Sequence, residues 1–260
     1  MRIYCSGFES DNSFGHGLDK IFLKELKQFK NIVYIPGGEA KVEKSIIKYI
    51  PSFRNHFKKI GISFDNEILI KPDMKIEDAK NAIQNADFIL LMGGDPFKQK
   101  KLCQALNIIE DLKNYKGLML GFSAGAMLMS KYIIVTPCSE EYPDFQIEDG
   151  LNLDGISIYP HNNINKDIYP DNLVSGDETY AKKDLIKVTN EYEEFYLLQD
   201  YLRDDGLKDI SAIICDDKIK KYTEYDGRMW KTTKNDVVLI KKIKNDWFFL
   251  LCKFYFTLKY

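Results

Sequence analysis

The stretch "LMLGFSAGAM", Leu118 to Met127, runs from apolar residues into a serine held between two glycines. In a strand-turn-helix elbow of this kind the serine hydroxyl is lifted clear of the sheet edge. Residues two before and two after it must be small, because strand and helix approach closely there. Gly121 and Gly125 meet that need, and Ala124 and Ala126 are small as well. Such a serine can attack a carbonyl if a base accepts its proton. The same pattern also fits a tight turn with no catalytic meaning, so Ser123 needs partners.

The chain has three histidines from which to choose a base. His56 lies in "SIIKYIPSFRNHFKK" beside an apolar stripe and reads as a solvated or stripe-edge helix residue. His16, flanked by glycines in "SFGHGLD", reads as a turn residue that caps or lines the first helix. His161, in "GISIYPHNN", ends a candidate strand after the serine helix and can reach the same edge as Ser123. For an oxyanion, "MGGDPF" supplies unhindered backbone at Gly94, and the amide of Ala124 would complete a two-donor hole. Asp95 and Pro96 also suit the N-cap and first position of a helix. For a carboxylate to orient the histidine, the strand end "ISAIICDD" offers Asp216 and Asp217, two residues that are also common in turns.

These groups must be positioned by a scaffold, and the hydropathy pattern outlines one. Short apolar runs at 2–7, 31–37, 66–70, 86–94, 117–123 and 155–160 read as strands. Between them, apolar residues recur at helical spacing: Leu18, Phe22, Leu23 and Leu26; Ile46, Ile47, Ile50, Phe53 and Phe57; Leu102, Leu106, Ile109 and Leu112. This alternation predicts an α/β fold, a doubly wound, mostly parallel sheet with helices on both faces. "FILLM" and "LML" are continuously apolar, as central buried strands should be. Ligands of such sheets bind beyond the carboxyl ends of the strands, where "MGGD" and "GFSAG" fall.

The polar stretches 135–155 and 162–191 exceed ordinary connections and are expected to be functional or mobile loops. A helix is expected over "YEEFYLLQDYLRDDG", 192–206, then a strand over "ISAIICDD". "KIKKYTEYDGRMWKTT" carries Asp-Gly between two alternating runs, a hairpin signal. The tail from Val237 to Tyr260 reads as extra strand that completes the sheet or forms a subunit contact, which would make a homodimer. No repeat, low-complexity tract or linker divides the 260 residues, so one domain is expected.

Composition narrows the function. Lys plus Arg (37) nearly balances Asp plus Glu (39), so the net charge of -2 gives no reason to expect nucleic acid or anionic lipid as a partner. The five cysteines are scattered, with no C-x-x-C pair, which argues against a zinc site and a secreted disulfide framework and for a cytoplasmic setting. No leader pattern opens the chain, so the mature protein is expected to start at Met1. "WFFLLCKFYF" is too short to span a bilayer, which needs roughly 20 residues. No ligand cluster suggests a metal or organic cofactor.

The order "MGGDPF", "GFSAGAM", "YPHNN" and a strand ending in acid resembles peptidase family S51, whose members include aspartyl dipeptidases of the peptidase E type. The likeness runs from Met1 to about Gly227. The second alanine of the elbow, with a Pro-His whose histidine comes 38 residues after the serine, makes it far more specific than G-x-S-x-G alone. The resemblance implies a three-layer fold related to class I glutamine amidotransferases, here with a C-terminal hairpin extension. It also implies a triad in the order Ser, His, acid: Ser123 as nucleophile, His161 as general base, and Gly94 and Ala124 as oxyanion donors. A gapless match puts Cys215 at the place of the acid and a one-residue shift puts Asp216 there. Asp216 is preferred because a neutral thiol cannot stabilise an imidazolium.

Two departures bear on specificity. Asp95 stands where the family has asparagine and puts a negative charge beside the site. Tyr180, with Lys182 and Lys183 nearby, stands where the family's aspartyl dipeptidases carry an arginine for the acidic side chain, and a lysine lacks the arginine fork. Asp95, Tyr180 and Lys182 are the expected substrate contacts. The implied reaction is hydrolysis of a small, dipeptide-like substrate through an acyl-enzyme. A glutaminase would need cysteine at the elbow, and an α/β-hydrolase would place its acid before the histidine. The remaining alternative is a non-catalytic binding protein that retains the elbow.

Overall fold

A computed structural model describes residues 1–240 except 9–13, 15, 138–139, 165, 176–177, 217 and 224–226. In chain order the elements begin β1 (Arg2–Cys5), α1 (His16–Glu25) and β2 (Asn31–Gly37). A helical arm follows: a short turn Glu39–Lys41, α2 (Val42–Lys44), a π-helical turn Ser45–Tyr49 and α3 (Ile50–Lys59). Next come β3 (Asn66–Leu69), α4 (Ile76–Gln84), β4 (Phe88–Gly94), α5 (Pro96–Ala105), α6 (Ile109–Asn114), β5 (Leu118–Phe122) and α7 (Ala124–Met129). The remaining elements are β6 (Tyr132–Val135), β7 (Gln146–Asp149), β8 (Ile158–Asn162), β9 (Asn172–Ser175), β10 (Glu178–Ala181) and α8 (Lys182–Glu191), then β11 (Tyr196–Leu202), β12 (Lys208–Cys215), β13 (Ile219–Thr223), β14 (Met229–Thr232) and β15 (Val237–Ile240).

The main sheet runs β15-β14-β11-β12-β1-β5-β4-β2-β3, with β13 beside β12 and β8 beside β11. Its centre, β1-β5-β4-β2-β3, is parallel. Those strands are apolar on both faces because both are covered. Ile89 and Leu91 of β4 pack with α4, α5 and α7 on one side, while Phe88, Leu90 and Met92 pack with α1 and α3 on the other. The expected three-layer α/β architecture follows from this double burial.

Beyond β1 the sheet departs from the sequence reading. The helix expected over 192–206 is instead β11, a strand running antiparallel to β12. Phe195 and Leu197 belong to the core beside α8 and β14, Leu198 to the core beside α7, and Gln199 is fully buried between them. The residues thus alternate between two buried faces, which in a short apolar segment is hard to tell from a helical stripe. The Asp-Gly pair at the tip of the β11-β12 hairpin is Asp205-Gly206, with Gly206 at φ 81°. Asp226 of the expected hairpin lies outside the described residues; among those described, the strands on either side pair elsewhere, β13 with β12, and β14 with β11 and β15. The tail beyond Ile240 lies outside the described residues.

Two expected helical stripes are also interrupted. The π-helical turn rotates the arm so that Ile46 and Ile47 face solvent while Ile50, Phe53 and Phe57 stay buried. The Leu102–Leu112 stripe breaks into α5 and α6 at Asn107, which has φ 50°. The stretches expected as long loops contain β7, β9, β10 and α8.

Candidate active site

The site lies where the carboxyl ends of β4, β5, β8 and β11 meet. β5 ends at Phe122, whose ring is wedged between Phe8 and Phe53 at centroid distances of 5.0 and 5.5 Å. That anchor fixes the chain just before it turns. Ser123 then takes φ 53° and ψ -121°, a conformation that costs a non-glycine residue about 1–3 kcal/mol. Its N–H donates to the Cys5 carbonyl at 3.0 Å. The turn is possible only with glycine on either side. A Cβ on Gly125 would lie 2.2 Å from the Leu91 carbonyl oxygen, and one on Gly121 would lie 2.6 Å from the Gly125 carbonyl carbon.

His161 reaches Ser123 through a bulge in β8. Tyr159 is in register with Leu197 and Asn162 with Gln199, so β8 carries one extra residue. A bulge re-aims a side chain and accommodates a proline that a regular ladder would not, here Pro160. His161 takes φ 58° at this point. Its Nε2 lies 2.7 Å from Ser123 Oγ and its Nδ1 3.0 Å from Asp200 Oδ2. Flanking side chains hold the strand: the Tyr159 hydroxyl is 2.7 Å from Thr136 Oγ1, and Tyr169 donates to Asn162 Oδ1.

Asp200, on β11, therefore occupies the position assigned from sequence to Asp216. That assignment is corrected by strand direction. β12 runs antiparallel to β1, with Cys215 opposite Arg2 and Ala212 opposite Cys5. Cys215 and Asp216 consequently sit at the edge of the sheet away from Ser123. Asp216 accepts the Lys218 N–H in a local turn, and Asp217 lies outside the described residues.

The Asp200 carboxylate is nearly buried, with 8% of its side chain exposed, and its Oδ1 lies 3.1 Å from Lys208 Nζ. Burial works to raise its pKa, but the hydrogen bond and charge of His161 and the charge of Lys208 outweigh it and hold the carboxyl below its ordinary value. The strand is pinned at the preceding residue. Gln199 N–H donates to Ser211 Oγ at 2.7 Å, Gln199 Nε2 donates to the Ile164 carbonyl at 2.8 Å, and Ser6 Oγ donates to the Gln199 carbonyl. Gly7 leaves the space the carboxylate fills, since a Cβ there would be 2.6 Å from Asp200 Oδ2.

Two cavities open on either side of Ser123 and His161. One, of about 480 Å³, is lined by Met127, Val135, Tyr142, Tyr159 and Asp95 among others. The other, of about 620 Å³, is lined by Lys41, Lys48, Phe53, His56, Asp200 and Lys208 among others. Gly94 lies at the end of β4 with φ 143°, and it borders both. Its approach to β2 excludes a side chain, because a Cβ would lie 2.8 Å from the Gly37 carbonyl oxygen. Ala124 is the first residue of α7, where backbone N–H groups lack intrahelical acceptors.

The other expected contacts fall differently. Asp95 caps α5, accepting from the N–H groups of Phe97 and Lys98, and its second oxygen accepts from the Tyr142 hydroxyl at 2.7 Å. Its charge is thus largely engaged within the protein. Lys182 does not extend toward Ser123: its ammonium pairs with Asp236, whose carboxyl this hydrogen bond holds below the ordinary range. Tyr180 lies in β10 opposite Leu173. His16 begins α1. His56 is not solvated but buried, 5.0 Å from the Phe14 ring centroid. Among the described residues no group of three or more His, Cys, Asp or Glu is arranged to hold a metal.

The model of peptidase family S51 matches residues 3–199. The chain belongs to peptidase family S51. Two solved structures share its fold. One is a candidate peptidase E protein from Listeria monocytogenes EGD-e, at 16% identity and TM-score 0.53, covering 85% of this chain and 100% of its own. The other is a peptidase from an acI-B1 actinobacterium, at 15% identity and TM-score 0.51, covering 91% and 98%. No curated protein sequence gives a significant match. As a family S51 chain the protein is assigned to the peptidases.

Proposed function

We propose that the protein is a serine-type peptidase that cleaves short peptides through an acyl-enzyme on Ser123. The observation that carries this reading is the continuous chain from Ser123 Oγ through His161 to Asp200, at 2.7 and 3.0 Å. His161 takes the Ser123 proton as Oγ attacks the peptide carbonyl, and Asp200 holds the imidazole in the required tautomer and offsets its charge. The amides of Gly94 and Ala124 receive the oxyanion of the tetrahedral intermediate. His161 then protonates the leaving amine, and water repeats the sequence to release the acyl group.

A dipeptide-sized substrate suits the two cavities flanking Ser123, both bordered by lysines: Lys41 and Lys98 in one, Lys41, Lys48 and Lys208 in the other. A reducing, cytoplasmic setting suits the free cysteines Cys5, Cys103 and Cys215. Among the described residues no helix is long and apolar enough to cross a membrane.

A fluorophosphonate probe tests the reading. Wild type should be labelled, and Ser123→Ala should lose both labelling and dipeptide hydrolysis. Folded wild-type protein that neither labels nor cleaves any member of a dipeptide library would favour a binding protein that retains the elbow.

A further inference from the structure

His161 must be neutral to accept the Ser123 proton, and a neutral imidazole does not offset a buried carboxylate beside it. During that step the imidazole can give Asp200 a hydrogen bond but no charge, so a cation beside the carboxylate would govern how strongly it acts on His161. Lys208 is placed to do so, with Nζ 3.1 Å from Asp200 Oδ1, while Oδ2 remains with His161 Nδ1. One hairpin positions both residues. Asp200 faces Ile210 and Leu202 faces Lys208 across β11 and β12, so Lys208 is the diagonal neighbour of Asp200 on the same face.

We propose that Lys208 is a positioning residue of this reaction, acting through Asp200 to set the orientation and basicity of His161. This inference rests on the serine-peptidase reading of the site. Among the described residues, other ionisable groups lie near the pair. From β1, the Cys5 thiol donates to the Gly7 carbonyl and is pushed up to about 12 by burial, so it stays neutral. The helical arm contributes Lys41, Lys48, Tyr49 and His56 across the second cavity, and the elbow contributes Ser123. Of the described groups, His161 and Lys208 stand at ion-pair distance from Asp200.

The sign of the effect follows from charge. Lys208 offsets part of the Asp200 anion and so weakens its hold on an imidazolium. Removing the ammonium leaves a stronger anion beside His161, which then keeps its proton to higher pH. Lys208→Met should move the acid limb of the kcat/KM profile up by about one pH unit, a loss of roughly tenfold on that limb with recovery at higher pH. Lys208→Arg should restore the limb. Lys208→Gln, which keeps polarity without charge, should behave like Lys208→Met. A uniform loss of activity with the limb unmoved would mean only a structural role and would overturn the proposal.

A second readout needs no substrate. The His161 imidazole resonances, identified by their loss in His161→Ala, should titrate about one pH unit higher in Lys208→Met or Lys208→Gln than in wild type. An unshifted titration in a folded variant overturns the coupling. If the wild-type protein cleaves nothing, the peptidase reading fails while this titration still decides whether Lys208 acts on His161 through Asp200.

Discussion

Both edges of the sheet carry a carboxylate in a hydrogen-bonded chain, and only one of the two chains ends on a serine between two cavities. At the carboxyl ends of the parallel strands stand Ser123, His161, Asp200 and Lys208. Toward the amino ends, Asp154 is held by Arg2 at 3.1 Å and by the Tyr4 hydroxyl at 2.6 Å. Burial, with Asp154 beside it, keeps Tyr4 protonated well above the ordinary phenol value. That second network ties β1 to the chain entering β8 and closes on itself. Near Ser123, by contrast, the backbone is in the left-handed region at two chain-linked positions, glycines permit contacts that a Cβ would forbid, and two cavities meet at a hydroxyl. Polar connectivity is common to both edges; strain and access separate them.

Substitution of the two carboxylates should break the symmetry most sharply. Asp200→Asn is expected to lower kcat/KM by about 10⁴-fold through the wrong tautomer of His161. Asp154→Asn should leave kcat/KM within about twofold and lower unfolding free energy by about 1–3 kcal/mol. Comparable losses of activity in both would remove the distinction. Gly125→Ala, which puts a methyl into the Leu91 carbonyl, should destabilise the elbow by several kcal/mol, on the order of the larger point-mutant effects, seen in denaturant titration.

Smaller effects sharpen the contrast. Gly7→Ala should displace the Asp200 carboxylate and reduce kcat/KM by roughly tenfold to a hundredfold with little change in melting temperature. Asp200 has a folded pKa below its unfolded value, so its contribution to stability is complete above about pH 4 and is lost as pH falls through the folded value. Asp200→Asn should flatten that part of the acid stability curve. The buried thiols of Cys5, Cys103 and Cys215 have the opposite sign. Burial pushes each up to about 12, so stability should fall as pH rises from about 9 toward that value, measurable by melts in alkaline buffers.

The central strands were readable because residues such as Phe88 to Met92 are apolar on both faces and admit few other placements. The elbow was readable because Gly121 and Gly125 are demanded by local sterics. The acid was not, and the reason is tertiary. Gln199 and Asp200 interrupt an apolar segment, and what makes them tolerable inside a sheet is Ser6, Ile164, Ser211, His161 and Lys208, none of them sequence neighbours. Asp205-Gly206, followed by the strand "KDISAII", was the local sign that 196–202 could be the first arm of a hairpin. It competed with Asp226-Gly227, and pairing partners elsewhere in the sheet decided between them. The bulge at Pro160-His161 likewise depends on register with β11, which no property of β8 alone specifies.

The hairpin that carries Asp200 and Lys208 has one further consequence, for how the protein can be rewired. The acid and its cation lie on two adjacent strands joined by a tight turn at Gly206, and Gly206 has open space around it. Expressing the protein as two fragments split in that turn would cut the covalent link between the two charges while leaving their pairing in the sheet. Serine, histidine and acid would then belong to one segment and the lysine to the other, so that the electrostatic partner of the acid could be exchanged as a separate piece.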